Sequence, residues 1–270
     1  MSVARNRPIG VFDSGAGGLT VVRMLLSQLP NERIVYFGDT AYVPYGPRSR
    51  DEIRRFAVDA TRFLRHQDAK LIVMGCNMSS AMALDVARES VDCPVLGTID
   101  AGSRSAVEVS ATGRIGVAAT EGTVNSMAYE RAISALRDDA EVFEHPCPLL
   151  VPAVESGMSD GALEDAVGQS LTPLREHAPD TVILGCTHYP LVRPQIQAFM
   201  GEGVQLVDPA DSLAAQAGEV LAAQRMLADE APDARVQCHA SGPAESLIAW
   251  STEFLHIDLG PVGQIDIHEG

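Results

Sequence analysis

The chain has 270 residues, of which 46% are hydrophobic and 21% are charged, a composition typical of a globular protein rather than of a disordered one. With 20 Lys and Arg against 36 Asp and Glu, the formal net charge is −16, which argues against nucleic-acid binding because that needs clustered basic residues. The length allows one large domain or two of medium size, and it favours two.

The sequence shows neither a membrane span nor an export signal. Its apolar runs, such as Leu71–Gly75, have the length of a strand and fall short of the roughly 18 apolar residues that a span requires. Residues Met1–Pro8 carry positive charge but lead directly into a strand-like segment, without the apolar region of a signal peptide. Five cysteines are present without a CxxC pair, so we expect free thiols in a cytoplasmic protein and no zinc site.

Short apolar runs alternate with amphipathic stretches, which predicts βα units around a parallel sheet. Helices are predicted between the strands, for example over Leu19–Gln28 and over Ser49–His66, where Ser49 and Glu52 have the spacing of a capping box. The predicted strands are Ile9–Asp13, Ile34–Gly38, Leu71–Gly75, Pro94–Thr98, Ile115–Ala119, Glu141–Glu144, Thr181–Gly185, Gln205–Val207 and Arg235–His239.

The chain contains a single lysine, Lys70, directly before the apolar run that begins at Leu71. We expect this side chain to be a solvated residue at the end of a strand. Because a pyridoxal enzyme needs a lysine that forms a Schiff base, this placement argues against pyridoxal chemistry.

Two segments at strand ends are similar to each other. Leu71–Asn77 and Val182–Thr187 each combine an apolar strand, a glycine, a cysteine and a small polar residue. The match is either a coincidence or a sign of two similar α/β lobes. In the second case Cys76 and Cys186 each lie at the carboxyl end of a strand, where open α/β sheets bind their ligands.

A helix N-terminus after each of these two cysteines is expected to stabilise a thiolate and lower the pKa of the thiol. Either cysteine alone is more simply explained as a small buried residue. A matched pair facing one cleft suits a reaction that needs an acid and a base on opposite faces of one carbon, such as racemisation. Cys93, Cys147 and Cys238 lack this context and are assigned to structure.

The glycine-rich segment Asp13–Thr20 follows the first predicted strand. It lacks the third glycine of a dinucleotide loop and the GK[ST] of a nucleotide P-loop, yet its backbone N–H groups can bind a carboxylate. Asp13 either points to a ligand or caps the following helix. Thr120 and Thr123, after another strand, can receive a carboxylate or cap a helix in the same way.

Other polar residues lie in loops after strands. Tyr45, between Pro44 and Gly46, can close over a ligand or pack on the surface. His188 lies two residues after Cys186, close enough for an imidazole to activate the thiol, whereas the other six histidines are expected to be surface or polar-tip residues. Glu155 is one acidic residue among 36, and its neighbours give it no special weight.

Together these motifs resemble the glutamate racemase family of the aspartate/glutamate racemase superfamily, cofactor-independent enzymes that supply D-glutamate for peptidoglycan synthesis. The resemblance runs from about Ile9 to about Phe254. Its four motifs, in matching order and spacing, are Val11–Val21, Gly38–Asp39 with Pro44–Gly46, Cys76–Asn77 and Gly185–Leu191.

The resemblance implies an α/β fold of two pseudo-symmetric lobes, each a mostly parallel sheet flanked by helices, with the active site in the cleft between them. Residues 1–98 and 208–270 would form the first lobe, and residues 99–207 the second. The implied substrate is glutamate, with no cofactor and no metal. The implied protein is a cytoplasmic homodimer that binds neither nucleic acid nor membrane, and the family allows an interaction with DNA gyrase.

Carried over by position, Cys76 and Cys186 are the proton donor and acceptor, assisted by Asp13 and His188, with Glu155 as a further acid near the second thiol. The implied substrate contacts are Asp13, Ser14, Pro44, Tyr45, Gly46, Asn77, Met78, Thr120, Thr123, Thr187 and His188.

Met78 departs from the family, which usually has Thr or Ser at this position. A thioether cannot donate a hydrogen bond. Either the backbone N–H makes the contact, or Ser79 or Ser80 substitutes for the missing hydroxyl, or the ligand differs.

Three other functions fit the same residues. The first is a racemase of aspartate or of another amino acid, or a related two-thiol isomerase. The second is a hydrolase with one essential cysteine and His188, which would form a covalent thioester. The third is a binding or regulatory protein that holds glutamate without turnover. The acidic surface suits a basic partner, although solubility alone explains it.

Overall fold

A computed structural model describes residues 2–268, apart from the side chains at positions 2, 3, 160, 253 and 254. The chain forms two compact units, Met1–Thr98 with Leu213–Gly270 (unit 1) and Ile99–Ser212 (unit 2). The strands are β1 Ile9–Asp13, β2 Ile34–Gly38, β3 Leu71–Met74, β4 Val95–Gly97, β5 Arg114–Ala119, β6 Glu141–Pro146, β7 Thr181–Gly185, β8 Gln205–Val207, β9 Val236–Ala240 and β10 Val262–Gln264.

Helices connect these strands. They are α1 Ser2–Arg5, α2 Leu19–Gln28, α3 Arg50–His66, α4 Asn77–Glu89, α5 Thr98–Val109, α6 Glu121–Asn125, α7 Ala128–Leu136, α8 Leu150–Glu155, α9 Asp160–Glu176, α10 Arg193–Met200, α11 Pro209–Ala223 and α12 Glu245–Trp250. A 3₁₀ turn spans Tyr189–Val192 and a π turn spans Ser251–Leu255. Within the described part of the chain, none of the helices has the length and apolar character that crossing a membrane demands.

The sheet of unit 1 has the strand order β10-β9-β2-β1-β3-β4, and each neighbouring pair is parallel. Its central strand, β1, is buried along its whole length, as are β2 and β3, because helices cover both faces of a parallel sheet. The carboxyl ends of β1 and β3 lie side by side, and Phe12 pairs with Met74. The residues that follow these two strands are therefore neighbours.

The sheet of unit 2 has the order β6-β5-β7-β8, again with parallel neighbours. Ala119 at the end of β5 pairs with Gly185 at the end of β7, so the segments after these two strands also begin side by side. The predicted α/β fold, with two parallel sheets flanked by helices, is confirmed.

Most predicted elements match the structure within one or two residues. Leu19–Gln28 forms α2 as predicted. The capping box is confirmed: the Ser49 side chain accepts a hydrogen bond from the backbone of Glu52, whose carboxylate accepts one from the Ser49 backbone. Strand β10 was not predicted, because its three residues form no apolar run and are only partly buried.

The expectation for Lys70 was wrong, because its side chain is only 1% exposed. The Nζ atom lies 2.6 Å from Oε2 of Glu32, itself 2% exposed, and it donates hydrogen bonds to the carbonyl oxygens of Arg5 and Met226. Burial lowers the pKa of this lysine, against the opposing effect of Glu32. An ammonium group has three N–H donors, and three acceptors surround it here, so its burial is compensated.

Candidate active site

Cys76 lies between β3 and α4, at the N-cap position of the helix. Its side chain is buried, and its Sγ accepts a hydrogen bond from the backbone N–H of Ser79 over 3.5 Å. Asn77 and Met78 continue into the first turn of α4 and are buried as well. The β3–α4 connection therefore places the thiol at the carboxyl edge of the unit 1 sheet.

The pKa of Cys76 is raised to about 11, so the expected lowering was wrong for this thiol. Burial has the largest effect, and the charge of Asp13 adds to it, whereas hydrogen bonds from Ser79 and Ser14 act in the opposite direction. A helix N-terminus favours a thiolate, but desolvation and a nearby carboxylate outweigh it here. Cys76 therefore carries its proton at neutral pH.

Asp13 ends β1 and is almost completely buried. Its Oδ1 accepts a hydrogen bond from the backbone N–H of Gly15 over 2.9 Å. It does not cap α2, because Gly18 occupies the N-cap position. A Cβ atom at Gly18 would lie only 2.3 Å from Cβ of Asp13, so this position needs glycine for the carboxylate to keep its place.

Tyr45 is buried rather than on the surface. Its hydroxyl donates a hydrogen bond to Oδ2 of Asp39 over 2.6 Å, and its ring packs 5.7 Å from that of Phe56. The neighbouring Pro44 and Gly46 are exposed. Residues 39–46, called the 39–46 loop below, therefore form a loop with an exposed turn that the buried side chain of Tyr45 holds in place.

Met78 belongs to the apolar core of unit 1, together with Cys76 and Tyr45. The hydroxyl of Ser80 is already engaged, because it donates to the Met74 carbonyl and accepts from the backbone N–H of Thr98. Ser79, in contrast, contacts the sulfur of Cys76 through its backbone N–H and also through its side chain. Of the two serines that could replace the missing hydroxyl, Ser79 is thus the one beside the thiol.

Cys186 follows β7 in unit 2 and lies in a chain of three polar side chains. Its Sγ is 3.7 Å from Nδ1 of His188, and Nε2 of His188 is 3.0 Å from Oε1 of Glu155, the last residue of α8. Cys186 is buried and His188 is 12% exposed, whereas the Glu155 side chain is 58% exposed. The sequence suggested the first contact through the two-residue spacing, but Glu155 only through the family resemblance.

The pKa of His188 is raised to about 10. Burial alone would lower it, but the charge of Cys186 and the hydrogen bonds to Cys186 and Glu155 outweigh burial. The hydrogen bond with His188 in turn lowers the pKa of Glu155. At neutral pH His188 is therefore an imidazolium, with one N–H directed to the sulfur and the other to the carboxylate.

Thr120 and Thr123 lie after β5, next to the end of β7. Their hydroxyl oxygens are 3.0 Å apart. Thr120 occupies the N-cap position of α6, but its side chain makes no capping hydrogen bond. Thr187, directly after Cys186, is buried. The structure of unit 2 thus brings hydroxyl groups to the same sheet edge as the thiol.

The remaining cysteines are free thiols, as are Cys76 and Cys186. Burial raises the pKa of Cys147 and of Cys238 to about 12, and it also raises that of Cys93. Groups of three or more His, Cys, Asp or Glu side chains that could hold a metal ion do not occur among the described residues.

His268 has a buried side chain, although the sequence analysis expected it, like five other histidines, to be a surface or polar-tip residue. Its side chain is 1% exposed, and its ring lies between the carboxylates of Asp39 and Asp59. Both partners are more than 200 positions away along the chain, so no local motif indicates the contact.

Residues 9–217 match the family model described as Asp/Glu/Hydantoin racemase. The chain belongs to this family. It is 40% identical over 262 residues to a glutamate racemase of Geobacter metallireducens, and the match covers 97% of each chain. The resemblance found in the sequence motifs is thereby confirmed, and this racemase is an isomerase.

Solved structures agree with this assignment. A glutamate racemase of Bacillus anthracis is similar with a TM-score of 0.92 and 37% identity, over 97% of this racemase and 98% of that chain. A glutamate racemase of Francisella tularensis in complex with D-glutamate has a TM-score of 0.90 and 34% identity over the same shares.

Proposed function

We propose that this racemase interconverts L- and D-glutamate by two-thiol proton transfer at Cα, without a cofactor. The observation that carries the proposal is the matched placement of Cys76 and Cys186. Each thiol follows an inner strand of a parallel sheet, and each has its own ionisable partner, Asp13 for the first and His188 for the second.

The two thiols have different neighbours. Cys76 keeps its proton at neutral pH, because burial and Asp13 raise its pKa. The sulfur of Cys186 accepts a hydrogen bond from the protonated His188, which favours a role as proton acceptor. In one direction Cys186 removes the α-proton and Cys76 delivers one to the opposite face of Cα. In the other direction the roles are exchanged.

This mechanism requires Cys76 and Cys186 to reach opposite faces of one substrate carbon. Loss of the α-proton places negative charge next to a carboxylate, so fixed hydrogen-bond donors are needed there. We assign this role to the hydroxyl of Ser14 beside Cys76, and to those of Thr120, Thr123 and Thr187 at the sheet edge that carries Cys186. We assign Asn77, the 39–46 loop and the backbone at Met78 to the remaining substrate contacts.

A glutamate racemase would supply D-glutamate for peptidoglycan synthesis, and we include this role in the proposal. The proposal also includes a cytoplasmic location, a homodimer and an interaction with DNA gyrase. All three are supported by the family resemblance alone.

A second function has one specific observation in its favour. Cys186, His188 and Glu155 form a chain of contacts like that of a cysteine hydrolase, in which a base activates a nucleophile and an acid orients the base. Such an enzyme would use Cys186 alone and would form a thioester with its substrate. It would have no chemical need for Cys76.

The test of the proposal is incubation of D-glutamate with the purified protein in deuterated water, free of metal and pyridoxal. We expect the optical activity to decay to zero while deuterium appears at Cα, as followed by circular dichroism and mass spectrometry. Deuterium exchange with aspartate but not with glutamate would assign a different substrate. Lack of exchange with both would contradict a racemase of either acid.

Glu155→Gln should shift the ionisation of His188 towards neutral pH. The raised pKa means that wild-type His188 loses its proton only as the pH rises through about 10. Its contribution to stability is thus complete below the ordinary histidine pKa of about 6.5 and is lost as the pH rises through about 10. Removing the carboxylate lowers the pKa, so the alkaline limb of the activity profile moves to lower pH, together with the His188 resonance in an NMR titration.

The matched control is Glu176→Gln, which removes one exposed carboxylate from the same unit. It should leave the titration of His188 unchanged. An unaltered His188 titration in Glu155→Gln would show that the contact of 3.0 Å has no electrostatic effect.

A further inference from the structure

We propose that His268 is a positioning residue that holds the 39–46 loop in place through Asp39. The inference rests on the proposed function, because the substrate role of this loop comes from it. His268 itself contacts no proposed catalytic group.

The ring of His268 joins two carboxylates. Its Nε2 lies 3.1 Å from Oδ2 of Asp39, and its Nδ1 lies 3.0 Å from Oδ2 of Asp59 on α3. Both ring nitrogens can donate at once only when the imidazole is protonated. Burial acts against that form, but the hydrogen bonds and charges of the two aspartates prevail and raise the pKa of His268. The ring is thus a buried cation between two anions.

Asp39 transmits this contact to the loop. The same Oδ2 atom that faces His268 also accepts the hydrogen bond from the Tyr45 hydroxyl over 2.6 Å. Asp39 is fully buried. Without the imidazolium, the Asp39 carboxylate would accept hydrogen bonds from neutral donors only. Burying a carboxylate without a positive partner is costly. The carboxylate would then move towards water, and Tyr45 would lose its fixed acceptor.

Ring packing fixes His268 from the other sides. Its ring centroid lies 4.6 Å from that of Phe56 and 4.8 Å from that of Tyr42, a residue of the 39–46 loop. The hydroxyl of Tyr42 is 3.3 Å from Oδ2 of Asp266, two residues before His268. The C-terminal segment thus contacts the loop at two points, one ionic and one through the tyrosine.

Strand β10 explains how the end of the chain reaches this place. It pairs with β9 at the edge of the unit 1 sheet, from Val262 opposite Cys238 to Gln264 opposite Ala240. Residues after β10 then cross to α3 and the 39–46 loop. The pairing of β10 with β9 therefore fixes the start of residues 265–268, and His268 at the end of this segment contacts Asp39 of the loop.

The test combines hydrogen–deuterium exchange with steady-state kinetics on full-length His268→Gln, which keeps a similar size but removes the cation. We expect the backbone amides of the 39–46 loop to exchange about tenfold faster in the ligand-free variant, and kcat/KM to fall by about tenfold, mainly through a higher KM. His66→Gln, at an exposed histidine on α3, is the matched control and should change neither quantity.

A double-mutant cycle with Tyr45→Phe tests the route through Asp39. If His268 acts on the loop through Asp39 and Tyr45, the double variant should lose little more activity than either single variant. Fully multiplicative losses, or wild-type exchange rates in the loop of His268→Gln, would overturn the inference.

Asp59→Asn is a second variant, in case His268→Gln does not fold. The side chain of Asp59 is 26% exposed, so the fold tolerates a neutral amide at this position more easily than a change at the buried His268. It should accelerate loop exchange in the same direction, by a smaller factor, and unchanged exchange in this variant would also count against the inference. The exchange measurement needs no substrate. If the wild-type protein does not turn over glutamate, the proposed function is refuted. The hydrogen–deuterium exchange rates of the 39–46 loop still test whether His268 holds this loop.

Discussion

Cys76→Ala and Cys186→Ala should each reduce racemisation by a factor of about 10³ or more, in both directions. Inversion needs one group to remove the α-proton and another to deliver a proton from the opposite face. With either thiol gone, one of these two steps has no acid–base group. The measurement is the rate of change of optical activity, starting from pure L-glutamate and from pure D-glutamate.

The two variants should also differ from each other. The remaining thiol can still remove an α-proton on its own face and return a deuteron from solvent without inversion. Any residual deuterium incorporation is then confined to one enantiomer, and the preferred enantiomer is opposite in the two variants. This result would assign each cysteine to the enantiomer on which it acts as base.

The hydrolase alternative makes a different prediction for the same pair. It requires Cys186 but not Cys76, and a covalent adduct would appear by mass spectrometry only while Cys186 is present. Cys76→Ala with near wild-type racemisation would contradict the two-thiol mechanism. Cys93→Ala is the control, because this half-buried cysteine lies outside both thiol environments and its loss should leave the rate within about twofold.

The fold could be predicted from the sequence because the inner strands of a parallel sheet are buried on both faces. Segments such as Ile9–Asp13 and Thr181–Gly185 are fully buried and appear in the sequence as continuous apolar runs. Strand β10 has no such run. Its position depends on pairing with β9, which no local pattern in Val262–Gln264 indicates.

The candidate site was predictable to the extent that its residues lie next to each other in sequence. Cys186 and His188 are two positions apart, and their contact follows from that spacing. The pKa of Cys76 was predicted in the wrong direction, since the helix N-terminus is a local feature whereas burial and the charge of Asp13 come from the tertiary fold. His268 was missed for the same reason, because its partner Asp39 is distant in sequence.

Lys70→Met should lower the free energy of unfolding by about 3–5 kcal/mol, because it leaves Glu32 as an uncompensated buried charge. Glu32 has a further role in this region, since its Oε1 accepts a hydrogen bond from the backbone N–H of Ala228. The ion pair thus connects the start of β3 to the N-terminal segment at Arg5 and to residues 226–228. Denaturant unfolding followed by fluorescence of Trp250, the single tryptophan and a residue of the same unit, measures the loss.

Arg62→Met is the matched control for this measurement, because it removes an exposed cation from α3 and should change the stability by no more than about 0.5 kcal/mol. Combining Lys70→Met with Glu32→Leu removes both charges and should restore part of the lost stability, since apolar side chains can replace a buried ion pair at little cost. The recovery stays incomplete, because the backbone N–H of Ala228 and the carbonyls of Arg5 and Met226 lose their side-chain partners. A Lys70→Met variant as stable as the control would contradict a stabilising role for this ion pair. The three acceptors around Nζ of Lys70 argue against that outcome, because Lys70→Met leaves all three of them without their donor.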